Sequence, residues 1–489
     1  MMPFTASLTQ NIEQTFTYSH AKNAHNCKRL ADEYDPIKFF RHLLKTENPF
    51  TIFMELDRFA FKRARQEIIR YRIPYTAKQE RQARIYYDVT NRMQQERSDT
   101  ISEYIENLEG TGVVVYKKPF VLTTKETLEL NKILNAIHVH KRAQNILYDH
   151  LLADELKGSH EQFKAVKTCL ENQYSVLIGG AGTGKSFVTA AIISQLQANN
   201  KEVAILAPTH KAKEALQDKI GKGATVRTIH SFVHNPVECD AIVIDESGML
   251  STPLLLKLLR HHTNQQLVFV GDKNQLQPIE YGRPFERIQN TFAKSELKDN
   301  KRSEAADIIA LGREILGIPQ NANMRMPNIQ VVHSSKEAFQ QGAEVVLSFR
   351  NDTVAAINQE QRIKNGQRTL SPQFSVGDKI IAKTNETGRF YNGQLFKIIS
   401  RNQAMNLKTG ATLTFKTSKD MESNFDLAYG LTVHKSQGSE WDVVAYQPSH
   451  IDTQNLAYVA VTRAKKQLII IGDQIKTEYR KDREWRQLV

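Results

Sequence analysis

The sequence predicts an α/β chain: two lobes built on parallel sheets, a small antiparallel β-barrel inserted into the second, and a mainly helical N-terminal domain. Three patterns carry this expectation. From about residue 157, apolar runs at 175–178, 203–207, 241–244, 267–270, 344–348 and 468–471 alternate with amphipathic helical stretches. That alternation marks parallel strands joined by helical crossovers and covered on both faces. Between 372 and 425 it gives way to short runs separated by Gly and Asn turns, the signature of a small antiparallel unit. Before about 155, long charged helical patterns dominate.

The expected boundaries are 1–155 for the helical region, 156–298 for the first lobe, 299–371 and 426–489 for the two parts of the second lobe, and 372–425 for the insert. In the N-terminal region the helical patterns fall at 36–45, 51–72, 77–109 and 125–156. Two apolar runs at 112–116 and 119–122, around Lys117-Lys118, read as a hairpin. Between Arg58 and Arg97 stand eleven basic residues against four acidic ones, Glu67, Glu80, Asp88 and Glu96. Phe59, Phe61, Tyr71, Tyr75, Tyr86 and Tyr87 are interleaved. Basic side chains among stacking rings suit nucleic acid. Amphipathic helices with aromatic core faces explain the same residues, and a docking surface for a replication or repair protein is equally allowed.

Composition narrows the partners. A formal charge of +13 and a pI near 9.3 favour polyanions, because neutralising phosphates releases counterions. A merely soluble basic protein would show the same balance. Cys27, Cys169 and Cys239 are far apart and odd in number, against a disulfide scaffold and against a zinc site. No apolar run approaches the length of a membrane span, and residues 1–20 lack the apolar core of a signal peptide. The expected setting is a reducing cytoplasm, bacterial or that of a host, with no membrane partner.

The chemistry concentrates at Gly179, Gly180, Ala181, Gly182, Thr183, Gly184, Lys185 and Ser186, between the apolar run ending at Ile178 and a helical segment. Strand, Gly-rich loop and helix make a phosphate-binding loop. Glycines let backbone N–H groups turn inward around phosphate oxygens, and the helix N-terminus adds its positive end. Lys185 can reach the β- and γ-phosphates, and the Ser186 hydroxyl can ligate Mg²⁺. The run at 241–244 ends in Asp245 and Glu246. Asp245 would hold the metal shell, and Glu246 would orient or deprotonate the attacking water. A third run ends before Gly271 and Asp272, and Gln275 could sense the γ-phosphate. Arg302 and Arg463, both beyond the first lobe, are candidate arginine fingers. A site completed only when two lobes close would couple hydrolysis to motion. ATP and Mg²⁺ are therefore the expected ligands.

The order of these segments resembles a superfamily 1 helicase of the RecD-like and Dda-like branch. Residues 179–186 resemble motif I, and Ala207-Pro208-Thr209-His210-Lys211-Ala212 motif Ia. Thr228-Ile229-His230-Ser231-Phe232 is similar to motif Ib, Asp245-Glu246-Ser247-Gly248-Met249 to motif II and 271–278 to motif III. Lys301-Arg302-Ser303 resembles motif IV. Segment 431–440, with Thr432, His434, Gly438 and Glu440, resembles motif V, and Tyr458-Val459-Ala460-Val461-Thr462-Arg463-Ala464-Lys465 motif VI. Glu161-Gln162 resembles the Q motif, whose glutamine reads adenine. The resemblance covers about 157–475. It implies RecA-like lobes, an insert of Src-homology-3 (SH3-like) type, and 5′→3′ movement on single-stranded DNA. It adds Gln162, Gly438 and Glu440 to the nucleotide site. Pro208, Thr209, His210, Thr228, His230, Ser231, Thr432 and His434 become candidate DNA contacts, since short polar groups at strand ends suit phosphate oxygens.

Two departures stand out. Relatives carry a duplex-splitting hairpin between motifs Ib and II, and here only Val233 to Asp240, eight residues, separate them. Gln277 and Gly248 replace a common proline and serine. The expected activity is an ATP-dependent DNA helicase or translocase acting on single-stranded and tailed duplex DNA. The rivals are a translocase that remodels nucleoprotein with little unwinding, and an RNA-directed motor.

Overall fold

The computed structural model describes residues 50, 61–70, 75–95, 101–102, 113–117, 121–139, 159–221, 224–261, 264–276, 278, 280–301, 305–320, 325–364, 374–386 and 388–472. The N-terminal part holds helices α1 (Phe61–Arg70) and α2 (Ala77–Gln95) and strands β1 (Ile101–Ser102), β2 (Val113–Lys117) and β3 (Val121–Thr124). The hairpin expected there forms: β2 pairs antiparallel with β3, and Ile101 pairs with Leu122 on its other edge. The helical pattern at 77–109 is therefore cut short at α2, because β-branched Ile101 joins the sheet. The interleaved aromatics pack on one another. Phe61 stacks on Phe50 at 5.5 Å, Tyr75 meets Phe50 edge-on at 5.0 Å, and Phe61 lies 6.5 Å from Tyr87. Phe59 and Tyr71 lie outside the described residues.

Helix α3 (Lys125–Val139) follows. Next come α4 (His160–Glu171), β4 (Tyr174–Gly179), α5 (Lys185–Ala198), β5 (Val203–Ala207), α6 (His210–Ile220), β6 (Val226–Thr228), α7 (Ile229–His234), β7 (Ala241–Ile244), α8 (Thr252–Arg260), β8 (Gln266–Gly271), α9 (Pro284–Thr291) and β9 (Ala293–Leu297). The strands form one sheet in the order β6-β5-β7-β8-β4-β9, parallel throughout. Alternate residues serve opposite cores. Ile242, Ile244 and Phe269 enter one cluster, and Val243, Val268 and Val270 the other. Both faces are covered, which is why these strands read as continuous apolar runs. Each such fully buried side chain contributes about 1.5–3 kcal/mol. Leu130, Leu134 and Ile137 of α3 share the first core with Leu254, Leu255 and Leu258 of α8. Arg260 clasps Glu129 with two bonds of 2.9 and 2.7 Å. The pattern change near 155 is thus not a boundary in the core, since α3 packs as part of the first lobe.

The second lobe contains α10 (Ala306–Ile315), β10 (Ile329–Val332), α11 (Ser335–Gln340), β11 (Val345–Ser348) and α12 (Asn351–Lys364). The insert contains β12 (Lys379–Ala382), β13 (Leu395–Ser400), β14 (Gln403–Asn406), β15 (Thr412–Thr414), α13 (Ser418–Asn424) and β16 (Phe425–Leu427). The lobe resumes with β17 (Gly430–Thr432), α14 (Val433–Ser436), β18 (Trp441–Tyr446), α15 (Gln454–Val461) and β19 (Ala464–Ile471). Its sheet, β10-β19-β18-β11-β17, is parallel. The insert is a five-stranded antiparallel sheet, β15-β14-β13-β12-β16, with its own core of Phe390, Phe396, Phe415 and Phe425. It runs two residues past 425, because Leu427 also faces that core.

Candidate functional site

The first sheet presents the C-terminal ends of its strands to a cleft, the usual place for a ligand in an open α/β sheet, and the second lobe closes it with residues at the starts of β11, β18 and β19. The cavity there has a volume of about 1010 Å³ and is lined by residues of both lobes and of the insert. Nine predicted nucleotide-site residues beyond the loop's first glycine meet in its wall: Gly180, Ala181, Gly182, Gly184, Lys185, Ser186, Asp245, Glu246 and Gln275. Gly438, Glu440 and Arg463 face them from the second lobe.

The loop between β4 and α5 needs its glycines. Gly182 and Gly184 have φ of 76° and 83°, in the left-handed region. A Cβ at Gly184 would also lie 2.4 Å from Gln162 Nε2. Thr183, buried, donates its hydroxyl to the Gly180 carbonyl at 2.9 Å. Lys185 Nζ donates to the carbonyls of Gly179 and Gly180 at 2.6 and 2.9 Å, so the ammonium is folded back over its own loop. Gln162 packs behind the loop, its amide donating to the Thr183 carbonyl at 3.4 Å. Its neighbour Glu161 accepts from the Lys298 and Asp299 N–H groups at 2.8 and 3.1 Å, holding the exit from β9.

Asp245 and Glu246 stand at the end of β7. Burial raises the affinity of both carboxylates for a proton. For Glu246 the adjacent Asp245 charge adds to this, while for Asp245 the Glu246 N–H, Lys185 and Lys219 oppose it. Glu246 adopts φ 51°, uncommon for a residue with a Cβ and a mark of local backbone strain. Its Oε2 is buried and has no hydrogen-bond partner among the described residues. Ser186 Oγ accepts from Lys219 Nζ at 2.9 Å. Hydroxyl and carboxylate oxygens of this kind fit a hard divalent cation that keeps waters and phosphate oxygens as further ligands.

Arg463 follows α15 and is buried. Its guanidinium donates to the Val459 and Ser439 carbonyls, each at 3.2 Å. Arg302 lies outside the described residues. Its neighbour Lys301 lines the cleft and donates its N–H to the Gly182 carbonyl at 2.8 Å.

The candidate DNA contacts occupy the ends of β5, β6 and β17. Thr209, Thr228 and Thr432 cap α6, α7 and α14, their hydroxyls accepting from the Ala212, Ser231 and Lys435 N–H groups at 3.1, 3.1 and 3.2 Å. Thr228 and Thr432 are buried, so these hydroxyls serve local structure first. His230, Ser231 and His434 are exposed, and Pro208 precedes the α6 cap. His210 stacks on Tyr391 of the insert, ring centroids 4.3 Å apart and nearly parallel. Burial lowers the His210 pKa, as does Lys213.

Sequence reasoning missed several residues that join the lobes. Lys211 donates to the Lys435 carbonyl at 2.9 Å and sits 5.6 Å over the Trp441 ring. Burial, helped by Arg463 and opposed by Glu214, pushes its pKa down to about 7. Gln394 of the insert donates to Glu214, and Lys408 pairs with Asp218 at 2.5 Å. Tyr458 reaches from α15 to the phosphate loop: its hydroxyl accepts from the Ala181 N–H at 2.8 Å and donates to Asp272 at 2.9 Å. No local pattern marks these residues, since each contact spans more than 150 positions.

Residues 157–322 match a family model described as an AAA domain, and 427–471 one described as a UvrD-like helicase C-terminal domain. The chain is 26% identical over 352 residues to the ATP-dependent RecD2 DNA helicase of Deinococcus radiodurans, covering 64% of this chain and 49% of that protein. It is 25% identical over 399 residues to the RecBCD enzyme subunit RecD of Mycolicibacterium smegmatis, covering 64% and 71%. It spans about half the length of the Deinococcus relative. Among solved structures it is similar to Bacteroides Pif1 bound to ssDNA, with 17% identity and a TM-score of 0.46 over 65% of this chain and 93% of that one. The order of motifs along the chain and the likeness to RecD2 and RecD together support a helicase of the RecD-like kind in superfamily 1.

Proposed function

We propose that this chain is an ATP-driven motor that moves 5′→3′ on single-stranded DNA and separates tailed duplexes. The observation that carries the reading is the convergence of Lys185, Glu246 and Gln275 from one lobe with Arg463 from the other on a single cavity. A polyphosphate in the loop would draw Lys185 Nζ from the Gly179 and Gly180 carbonyls into stronger charge-assisted bonds. Ser186 and Asp245 would hold Mg²⁺, which supplies charge neutralisation at the phosphates when bound. Glu246, with an unpartnered buried oxygen, is placed to accept a proton from the attacking water. Arg463 would offset charge developing on the terminal phosphate, and Gly438 and Glu440 would close that wall from the second lobe. Hydrolysis would then alternate the lobes' grip on a strand lying across His210, His230, Ser231 and His434.

The five-stranded insert fits an SH3-type unit, threaded through the second lobe yet resting on α6 of the first. The N-terminal region expected at 1–155, less helix α3, is the candidate adaptor for a replication or repair partner. A second reading, a translocase that strips proteins from DNA with little unwinding, is favoured by one observation. The connection from α7 to β7, residues 235–240, contains no strand and is too short for a splitting hairpin. Unwinding of matched duplexes with a 5′ or a 3′ tail, with Lys185→Ala as control, tests both readings. Unwinding of the 5′-tailed duplex alone, lost in the variant, supports the helicase. DNA-stimulated hydrolysis with no unwinding of either duplex supports the remodeller. Hydrolysis that DNA leaves unchanged and RNA accelerates would transfer the motor to RNA.

A further inference from the structure

The Tyr458 hydroxyl is buried at the meeting of the lobes and makes two hydrogen bonds, both to the lobe it does not belong to. It takes the Ala181 N–H, a donor of the phosphate loop, and gives its own proton to Asp272 at the end of β8. The fit is close against two glycines. A Cβ at Gly180 would come within 3.2 Å of the hydroxyl, and one at Gly312 within 3.3 Å of the ring. Asp272 in turn accepts from the Asn274 N–H at 2.9 Å, and its carbonyl accepts from the Gln275 N–H at 3.3 Å. Asn455, one turn before Tyr458, donates to the Asn274 carbonyl at 3.0 Å. Arg463 lies just beyond the other end of the same helix.

One hydroxyl thus joins the phosphate loop, the Gln275 turn and the helix that leads into Arg463. We propose that Tyr458 is a positioning residue that couples phosphate binding to lobe movement, by competing with the terminal phosphate for the Ala181 N–H. A phosphate oxygen that takes this N–H must displace the hydroxyl. Tyr458 then keeps only Asp272, and α15 is free to shift Arg463 relative to the phosphate loop while the Gln275 turn resets. The inference rests on reading the cleft as an ATP site.

The sign of the effect separates the alternatives. Tyr458→Phe keeps the ring among its neighbours and removes both bonds. Binding of a fluorescent ATP analogue with Mg²⁺, without DNA, is expected to tighten about three- to tenfold, the range of one lost competing hydrogen bond. The DNA-stimulated kcat is expected to fall while KM for ATP also falls, because binding no longer drives the helix. Asp272→Asn should shift affinity in the same direction, and adding it to Tyr458→Phe should add little. Unchanged or weakened analogue binding in Tyr458→Phe overturns the proposal, as does a parallel fall of kcat with KM fixed. Thermal midpoints of both variants reveal a packing loss, and Asp272→Asn decides the matter if Tyr458→Phe unfolds. Lys185→Ala is run beside them. If it leaves analogue binding intact, the ATP-site reading itself is wrong; if it abolishes binding while Tyr458→Phe changes nothing, only the coupling fails.

Discussion

At the scale of single residues, Glu246 concentrates the chemistry. Its left-handed backbone, the lack of a partner for its buried oxygen among the described residues and the charges around it are what its proposed role toward the attacking water rests on. Glu246→Gln preserves shape and removes the base. Steady-state hydrolysis is expected to fall about 10²–10⁴-fold, with ATP-analogue affinity retained; a fall below tenfold in a phosphate-release assay would reassign the base. Gly184→Ala meets two obstacles, the positive φ and the nearby Gln162 amide. Gln162 can swing aside but the backbone cannot, so nucleotide affinity is expected to drop tenfold or more while far-UV circular dichroism stays unchanged.

At the scale of elements, β6 and β17 each end in a threonine that caps the following helix, and Thr209 does the same two residues past β5. Thr228→Val and Thr432→Val keep the buried methyl and remove the cap, costing about 1 kcal/mol each in urea denaturation. Single-stranded DNA affinity separates capping from contact: a threonine that also touches phosphate loses affinity beyond what the stability change explains. Asn358 of α12 holds the exit from the insert more firmly. Its amide donates to the Leu427 and Gly430 carbonyls at 3.3 and 3.1 Å, and its oxygen accepts from the Tyr429 and Gly430 N–H groups at 2.9 and 2.8 Å. Asn358→Leu leaves these buried groups unpaired at about 1–3 kcal/mol apiece. The variant is expected to unfold at markedly lower urea, and a shift below 1 kcal/mol would mean that the exit repacks.

At the scale of the molecule, the contact between lobes carries a pH signature. Lys211 is desolvated against the second lobe, and its pKa falls to about 7 from its ordinary value near 10.5. The unfolded chain therefore binds more protons between these limits, and stability from this group rises with pH across that window. Below about pH 7 both states hold the proton and the gain is gone. The thermal midpoint should rise from pH 7 toward pH 9 in the parent protein and rise less in Lys211→Met. Equal slopes in the two proteins would show that Lys211 stays solvated.

The order of amino acids was enough to draw the parallel lobes, the phosphate loop, the carboxylates after β7 and the antiparallel insert. Each of these is written in neighbouring residues, as an apolar run, a glycine spacing or a turn. It also brought Arg463 into the site, but only through the likeness of its motif. Tertiary structure alone decided what crosses between distant segments. Helix α3 joined the first core because Leu130, Leu134 and Ile137 found α8, although their pattern matched the helices before them. Tyr391 met His210, Lys211 met Trp441, and Tyr458 met Ala181 from 277 positions away. Local spacing records which face of an element is apolar. It does not record which partner covers that face, because chain closure over such distances is settled by packing of the whole.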